Sequence, residues 1–535
     1  PYLTAELAAP VVIGIQENDV SACVKHFALN NQEQDRMNVN VELSDDALYE
    51  IYLPAFRSCI QKGNAYSIMG AYNKIRGEHA CHSKFLLQDI LRDAWNFDGV
   101  VVSDWGAAHN TEEAAFAGTD LEMSVTNDFD DYFFANPLEE KIEKGDIKEE
   151  VIDEKVMRIL TLMERLHMLD DTRKSGTYHS LYHQQQIEQI SDESIVLCKN
   201  TNNHLPLHSI GYKKIAVVGK NADTYFAPGG GSAEIKALYE ITPLLGISMY
   251  VGGNTEVSYF SDEELPSDEE MKQIENCDEV IYVGGLTHEL DTEGADRKDI
   301  DLPGYQEQWI IRLLKCNPET VVILISGAAV NMSSFIEKTN NLLLCNYTGM
   351  RGGYSLAKIL FGAVNPSGRT SQSYPFSLSN CPVHKDITSY PGIQKDGEES
   401  LTVTYSEGLF VGYRYYESAQ VPVAIPFGHG LSYTTFEYEN LDICQTEASI
   451  LVTFDVTNTG KLKGKETAQI YIQGNDKKRP LLELKGFDKK EIAPKQTAQY
   501  EIHLEKEWIS MYSGEVTLLV GSTLHDIRLQ AVLNL

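Results

Sequence analysis

Residues 99–107 read Gly-Val-Val-Val-Ser-Asp-Trp-Gly-Ala. The three valines predict a buried strand, and the residues after them place a carboxylate, Asp104, beside an indole, Trp105, where that strand ends. A carboxylate can attack or stabilise an oxocarbenium centre, and an indole face packs well on the apolar face of a pyranose. On these residues alone, the alternative is an Asp that caps a helix, followed by a structural Trp. The stretch is therefore a candidate site for sugar chemistry.

The first 170 residues alternate short β-rich runs with amphipathic stretches, which is the pattern of a parallel α/β fold. The predicted strands are residues 22–27, 66–72, 100–105 and 118–123. Helices are predicted at 44–62, where Ser44 is the N-cap, and at 83–95. Active sites of α/β barrels gather at the carboxyl ends of the strands, so we expect Lys25, His26, Tyr72 and Asp104 at one mouth. Four strands make only half of a closed barrel.

Two further regions follow along the chain. Apolar runs at 214–219, 279–285, 320–326 and 341–346, with helical stretches between them, predict a mostly parallel sheet. Later runs at 449–456, 467–472, 497–504 and 515–520 alternate without helical period, as in an antiparallel β-sandwich. The predicted fold class is multidomain α/β plus β. The predicted boundaries are 1–174 for the half-barrel, 175–400 for an α/β sandwich domain, 401–430 for a linker and 431–535 for the β-sandwich.

Composition excludes several classes of protein. The 535 residues are 42% hydrophobic and 23% charged, which is typical of a globular chain of several domains. The net charge of −33 argues against nucleic acid and anionic membranes as partners. The longest apolar run, 321–330, is too short to cross a bilayer. Nine cysteines without a C-x-x-C pair predict free thiols in a reducing compartment, with neither a disulfide framework nor a metal site.

Two loops of the second region have compositions that bear on chemistry. Residues 291–297, Asp-Thr-Glu-Gly-Ala-Asp-Arg, place the carboxylate of Glu293 beside a flexible glycine, as a mobile general acid requires. The same composition is also typical of a solvated, ion-paired loop. Residues 229–232, Gly-Gly-Gly-Ser, match neither glycine-rich phosphate motif, which argues against a nucleotide site.

Ordered stretches along the whole chain resemble glycoside hydrolase family three, of the bacterial β-glucosidase type. The matching stretches include PYLTAELA (1–8), CVKHFALNNQEQDR (23–36), SIMGAYNKIRG (67–77), GVVVSDWGA (99–107), AGTDLEM (117–123), SIVLCKN (194–200), TEGADRKDIDLP (292–303), PFGHGLSYTTFEY (426–438) and LKGFDKKEI (484–492). The resemblance implies a (β/α)8 barrel, an α/β sandwich and a fibronectin type III-like domain, with the active site between the first two. It also implies a retaining β-glucosidase that needs no cofactor and acts on terminal β-glucosides or cello-oligosaccharides.

The same resemblance implies roles for individual residues. Asp104 would be the nucleophile, and Glu293 would be the acid/base. The residues that would line the glucose site are Lys25, His26, Met69, Tyr72 and Trp105. A retaining enzyme needs its two carboxyl groups about 5 to 5.5 Å apart, with one ionised and one protonated. We expect donors such as Lys25 to keep Asp104 ionised and partial burial to keep Glu293 protonated.

The chain also departs from the family pattern. It begins at Pro1, where members of the family have already completed about half of the barrel, including an Asp and an Arg that grip the sugar. We therefore expect a companion polypeptide or a missing N-terminal segment to complete the barrel. Ala295 replaces a residue that is usually aromatic, Tyr347-Thr348 stands where Trp-x-Pro is common, and Thr370-Ser371 stands where Leu-Pro is common.

Other functions stay open at this point. Within the family, the alternatives are a β-xylosidase, an α-L-arabinofuranosidase or a β-N-acetylglucosaminidase. The last is disfavoured because Phe27 is followed by Ala28-Leu29-Asn30 instead of Pro-Gly-His. An alternative of another class is a non-catalytic sugar-binding fragment that lacks half of its barrel. A bacterial cytoplasmic location is expected from the cysteines and the absence of a leader, and homo-oligomerisation is left open.

Overall fold

The computed structural model describes residues 1–208, 213–446 and 449–535, and it divides into two compact units. The first unit contains residues 1–177 together with residues 382–409. The second unit contains residues 178–381 together with residues 410–535. The chain therefore leaves the first unit and returns to it before the C-terminal region.

A parallel sheet of three strands forms the centre of the first unit, in the order Cys23–Phe27, Ser67–Gly70, Val100–Val102. The predicted fourth strand, 118–123, is reduced to one bridge between Val102 and Leu121. The side chain of Asp120 explains the difference, because its Oδ2 accepts the Val101 N–H at 2.8 Å. A carbonyl of a regular fourth strand would otherwise have accepted that N–H.

Helices pack around this sheet. They span Tyr2–Gln16, Asp45–Ala47, Leu48–Tyr52, Pro54–Gln61, Phe85–Ala94, Thr111–Ala117, Asn136–Glu143 and Glu149–Arg165. The turns of Leu48–Tyr52 and Phe85–Ala94 are wider and π-type. Ser44 caps as predicted, since its side chain accepts the Ala47 N–H at 3.2 Å. The predicted continuous helix 44–62 is nevertheless divided, because Pro54 has no N–H to donate within a helix and instead begins the next one.

A second sheet in the first unit joins distant parts of the sequence. Its order is Ile393–Gln394, Leu401–Thr404, Asn40–Glu42, Lys74–Ile75, Glu78–His79. The strand Leu401–Thr404 pairs in parallel with Asn40–Glu42, and the Asn31 amide donates to the Tyr405 hydroxyl at 3.1 Å. The start of the expected linker 401–430 is therefore an integral strand of the first unit.

The second unit contains a six-stranded sheet. Its order is Val196–Asn200, Asn341–Cys345, Val321–Ile325, Glu279–Gly285, Lys213–Val218, Thr255–Phe260, and only the first strand is antiparallel. Its helices are Leu181–Ser194, Pro243–Val251, Asp268–Glu275, Gln306–Cys316 and Gly352–Leu360. Side chains on both faces are buried, which is why these strands are continuously apolar in the sequence. The four predicted strands are all present, and the predicted mostly parallel sheet is confirmed.

The C-terminal part of the second unit is an antiparallel β-sandwich, as predicted. One sheet contains Phe436–Gln445, Ser449–Asn458 and Thr497–Glu505, and the other contains Leu482–Ile492, Gly464–Gln473, Glu515–Thr523 and Asp526–Asn534. The end of the expected linker packs on this sandwich through the helix Tyr413–Ser418. The Leu484 N–H donates to the Tyr413 hydroxyl at 2.8 Å, and Arg414 Nε lies 3.5 Å from Glu483 Oε2. This segment is structured because those side chains are buried.

Two findings bear on the class of protein. None of the helices in the described residues is long and apolar enough to span a membrane. All nine cysteines are free thiols, of which Cys23 and Cys444 are exposed.

Candidate active site

The carboxyl ends of the three parallel strands bring most of the predicted site residues to one edge of the first unit. Met69 is in register with Val102, and Phe27 is in register with Gly70. Asp104 follows the third strand directly because that strand ends at Val102, two residues before the carboxylate. Parallel pairing thus places side chains that are far apart in sequence at a shared edge.

Asp104 is buried and accepts hydrogen bonds on both carboxylate oxygens. His26 Nε2 lies 3.1 Å from Oδ2, and the Trp105 N–H donates to Oδ1 at 2.8 Å. The Tyr72 side chain is a further hydrogen-bond partner. The backbone at Asp104 is fixed as well, because the Ala107 N–H donates to its carbonyl at 3.1 Å. The carboxylate is therefore held in a single orientation by donors from all three strand ends.

These contacts determine the ionisation of Asp104. Burial alone would raise its pKa, but the hydrogen bonds from His26, the Trp105 N–H and Tyr72 outweigh burial and hold the pKa below its usual value. Lys25 was the expected donor, whereas the donors found are these three. The carboxylate is accordingly ionised at neutral pH, as a nucleophile requires.

The other predicted residues around Asp104 have distinct environments. Trp105 is 46% exposed, so its side chain is accessible to a ligand. Met69 and Tyr72 are buried, and Lys25 is exposed. The guanidinium of Arg36 lies 5.5 Å from the centre of the Tyr72 ring and pairs with Glu33. Arg36 is a cation beside the site that our sequence analysis did not single out, although it ends one of the quoted stretches.

Glu293 lies in a loop of the second unit, after the strand Glu279–Gly285. Its Oε2 accepts both the backbone N–H of Ser232 at 2.8 Å and the Ser232 hydroxyl at 2.5 Å. Its side chain is exposed, which differs from the partial burial that we expected. Gly231 has φ +63°, and a Cβ there would lie 2.8 Å from the Glu293 carboxylate. The Gly-Gly-Gly-Ser segment therefore supports a carboxylate, a role that phosphate-motif reasoning could not reveal.

Comparison with known proteins places the chain in a family. The N-terminal domain model of glycosyl hydrolase family 3 matches residues 1–162, and its C-terminal domain model matches residues 195–413. A fibronectin type III-like domain model matches residues 466–523. The chain is 40% identical to β-glucosidase BoGH3A of Bacteroides ovatus, over 99% of this chain and 76% of that protein. The chain belongs to glycoside hydrolase family 3.

Other members of family 3 show the range of its activities. An exo-α-(1→6)-L-arabinopyranosidase of Bifidobacterium breve is 34% identical over 98% of this chain and 71% of that protein. The structure of β-glucosidase 3B from Thermotoga neapolitana in complex with glucose superposes with a TM-score of 0.90 at 28% identity, covering 99% of this chain and 79% of that one. The predicted family and the multidomain α/β plus β fold are confirmed, and the protein is a glycoside hydrolase.

Proposed function

We propose that this family 3 enzyme is a retaining exo-β-glucosidase that removes terminal β-D-glucosyl residues from β-glucosides or cello-oligosaccharides. The relatives named β-glucosidase support the substrate class. The observation that carries the proposal is the environment of Asp104, a buried carboxylate held ionised by three donors next to an exposed indole. An ionised carboxylate beside an aromatic sugar platform is what attack at an anomeric carbon requires.

In the first step, the Asp104 carboxylate bonds to C1 of the glucosyl unit while the bond from C1 to the leaving oxygen breaks. Glu293 gives its proton to that oxygen. In the second step, water loses a proton to Glu293 and attacks C1, which releases glucose and restores the Asp104 carboxylate. Two inversions at C1 give net retention. His26, Tyr72 and the Trp105 N–H hold Asp104 in the attacking position, and Lys25, Met69 and Trp105 line the site for the sugar.

Replacement of the nucleophile tests this assignment. We expect Asp104→Asn to abolish turnover of a chromogenic β-glucoside, because an amide cannot form the glycosyl-enzyme. Incubation of the unmodified enzyme with a 2-deoxy-2-fluoro glucosyl donor should add one fluoroglucosyl group to the peptide that contains Asp104, as read by mass spectrometry. Asp98→Asn is the matched control, since Asp98 is an exposed partner of Arg165 on the same unit. Full activity in Asp104→Asn would refute the assignment of Asp104 as the nucleophile.

The acid/base assignment has its own test. Glu293→Ala should lose most of its activity, and added azide should restore part of it and yield a β-glycosyl azide. Small anions replace the missing base in the second step because they need no deprotonation. If Glu293→Ala formed glucose without azide at the rate of the unmodified enzyme, Glu293 would be excluded as the acid/base.

A second candidate substrate is a pentopyranoside, which the identity to an exo-α-(1→6)-L-arabinopyranosidase favours. Pentopyranosides lack the hydroxymethyl group of glucose, so one comparison separates the candidates. We expect kcat/KM for the β-glucoside to exceed kcat/KM for the β-xyloside more than tenfold, and likewise to exceed kcat/KM for the α-L-arabinopyranoside more than tenfold. A non-catalytic sugar-binding fragment would instead bind a glucose-like lactam without hydrolysing any of the three.

We further propose that another segment completes the barrel, either upstream in the same protein or on a companion polypeptide. A (β/α)8 barrel has eight parallel strands, and in the described part of the first unit the central parallel sheet has three strands and one bridge. The helix Tyr2–Gln16 also exposes the apolar side chains of Leu7, Val11 and Ile13. Mass spectrometry of the purified active enzyme should show either a longer chain or a second polypeptide. A single active species near 60 kDa would contradict this proposal.

The cellular location is proposed to be the bacterial cytoplasm. All nine cysteines are free thiols, which supports a reducing compartment.

A further inference from the structure

The loop that carries Glu293 is fixed on both sides of that residue. It follows the strand Glu279–Gly285, and the Leu286 N–H donates to the Ile325 carbonyl at 2.8 Å. On the far side, Arg297 donates to the Ala329 carbonyl at 3.1 Å, and the Asn331 N–H donates to the Ile300 carbonyl at 2.6 Å. The span between these anchors contains Gly294 at φ +88°, a backbone conformation that favours glycine. The position of Glu293 thus depends on anchors within the span.

Asp291 supplies the anchor that precedes Glu293. Its Oδ2 accepts the Tyr347 hydroxyl at 2.8 Å and the Gly327 N–H at 2.8 Å. Its own N–H closes a turn onto the Thr287 carbonyl at 2.9 Å. A Cβ at Gly327 would lie 2.8 Å from that same Oδ2, so the close approach depends on glycine there. The loops after three neighbouring parallel strands therefore meet at one carboxylate oxygen.

Tyr347 itself packs in an aromatic cluster with His288 and Phe226. Its ring lies 4.3 Å from His288 and is stacked 5.6 Å from Phe226, measured between ring centres. His288 Nε2 lies 2.9 Å from the Phe226 carbonyl, so the same aromatic cluster also holds the loop that ends in Ser232. Ser232 is the residue that hydrogen-bonds Glu293. The loop that contains Asp291 and Glu293 and the loop that contains Ser232 therefore both contact this aromatic cluster.

We propose that Tyr347 is a positioning residue, whose hydroxyl sets the Glu293 carboxylate for proton transfer by holding Asp291. This inference rests on the proposed role of Glu293 as acid/base. Tyr347 donates its hydroxyl to Asp291, so it acts through Asp291 and Thr292, the one residue between Asp291 and Glu293. Proton transfer is sensitive to the distance between donor and acceptor, so a loosened loop slows the step that needs an acid.

Tyr347→Phe removes the hydroxyl and keeps the stacked ring. We expect kcat/KM to fall about tenfold for a β-glucoside with a poor leaving group, such as cellobiose, because general acid catalysis contributes about 10²- to 10⁴-fold to that step. For 2,4-dinitrophenyl β-glucoside, whose leaving group needs no proton, kcat/KM should change less than about twofold. Unchanged turnover of this second substrate also shows that the variant is folded.

Four further variants complete the experiment. Tyr250→Phe is the matched control, since Tyr250 lies on the helix Pro243–Val251 and stacks on Phe361, and it should show no change with either substrate. Asp291→Ala should reproduce the leaving-group dependence, and adding Tyr347→Phe to it should cause no further loss, because both remove the same contact. Glu293→Ala should show the dependence most strongly.

The outcomes separate the two hypotheses. An equal loss with both substrates, or no loss with either, in Tyr347→Phe would overturn the positioning role. If Glu293→Ala shows the leaving-group dependence and Tyr347→Phe does not, only the positioning role fails. If Glu293→Ala lacks it, the proposed acid/base fails first.

Discussion

His26 is the residue whose contact most directly determines the state of the nucleophile. Its Nε2 lies 3.1 Å from Asp104 Oδ2, and the hydrogen bond lowers the pKa of that carboxyl against the effect of burial. We expect His26→Ala to lower kcat/KM by about 10- to 100-fold, since a hydrogen bond to a charged group contributes about 1.5 to 3 kcal/mol. Both the lost orientation of Asp104 and the lost sugar contact act in this direction.

The pH profile separates those two effects. Because the pKa of Asp104 is depressed in the folded protein, the carboxylate is active above that pKa and is lost as pH falls through it. Removing the His26 hydrogen bond raises this pKa, so the acidic limb of kcat/KM should move to higher pH. An acidic limb that stays in place would show that His26 contacts only the sugar. Lys25→Ala is the comparison variant, and it should lower kcat/KM without moving that limb.

At the scale of elements, the strands were easier to predict than the helices and loops. The four central strands of the six-stranded sheet are continuously apolar, because both faces of that sheet are buried, and this pattern is local in sequence. The strand Leu401–Thr404 was missed since its partner, Asn40–Glu42, is some 360 residues away and its pairing is not encoded locally. The division of helix 44–62 at Pro54 was readable from the residue itself.

In the candidate site, the residues that follow strands could be predicted from sequence, whereas contacts between distant loops could not. Asp104 and Trp105 were identifiable because they directly follow a valine run, and His26 and Tyr72 because they follow other strands. The contact of Glu293 with Ser232 could not be predicted, since Ser232 lies 61 residues earlier and belongs to a glycine-rich segment without a recognised motif. The role of Asp291 was likewise hidden, because its partners Tyr347 and Gly327 follow other strands.

The hairpin strand Glu78–His79 contributes to acid sensitivity. Its His79 ring lies 3.9 Å from the His109 ring, and His79 Nδ1 lies 3.2 Å from the Tyr72 carbonyl. Burial lowers the pKa of His79 to about 4, and neighbouring His109, His82 and Lys74 act in the same direction against the Tyr72 hydrogen bond. Burial also lowers the pKa of His82 and His109. The folded element therefore prefers neutral histidines.

The sign of the pH effect follows from these shifts. The folded pKa of His79 lies below its unfolded value of 6.5, so its contribution to stability is present above pH 6.5 and is lost as pH falls towards 4. We expect the urea concentration at the unfolding midpoint to decrease as the pH is lowered from about 7 to about 5. The decrease should be smaller in His79→Gln, because this one group contributes up to about 1.4 kcal/mol per pH unit to the pH dependence of the unfolding free energy. His183→Gln, at an exposed position of the helix Leu181–Ser194, is the control variant. An equal pH dependence in His79→Gln and the unmodified protein would contradict this account.

At the scale of the whole molecule, three ion pairs join the α/β part of the second unit to its β-sandwich, and one of them is buried whereas two are partly exposed. Arg369 Nη2 lies 2.9 Å from Glu466 Oε2, and the Tyr438 hydroxyl donates to the other oxygen of Glu466 at 2.8 Å. Glu193 pairs with Lys465 at 2.5 Å and with Lys489 at 3.0 Å. These contacts explain why the two parts form one compact unit, and they predict that both parts unfold together.

Arg369 and Glu466 offer a direct test of that coupling. Both side chains are almost fully buried, with 11% and 4% exposure, so removing one charge leaves the other buried and uncompensated. We expect Arg369→Met alone to cost about 3 to 5 kcal/mol and to split the calorimetric transition of this unit into two. The double variant Arg369→Met with Glu466→Gln should regain at least half of that loss and restore one transition, because no buried charge is then unpaired. Simple additivity of the two single losses would show that the pair acts through packing alone, and that charge does not couple the two parts.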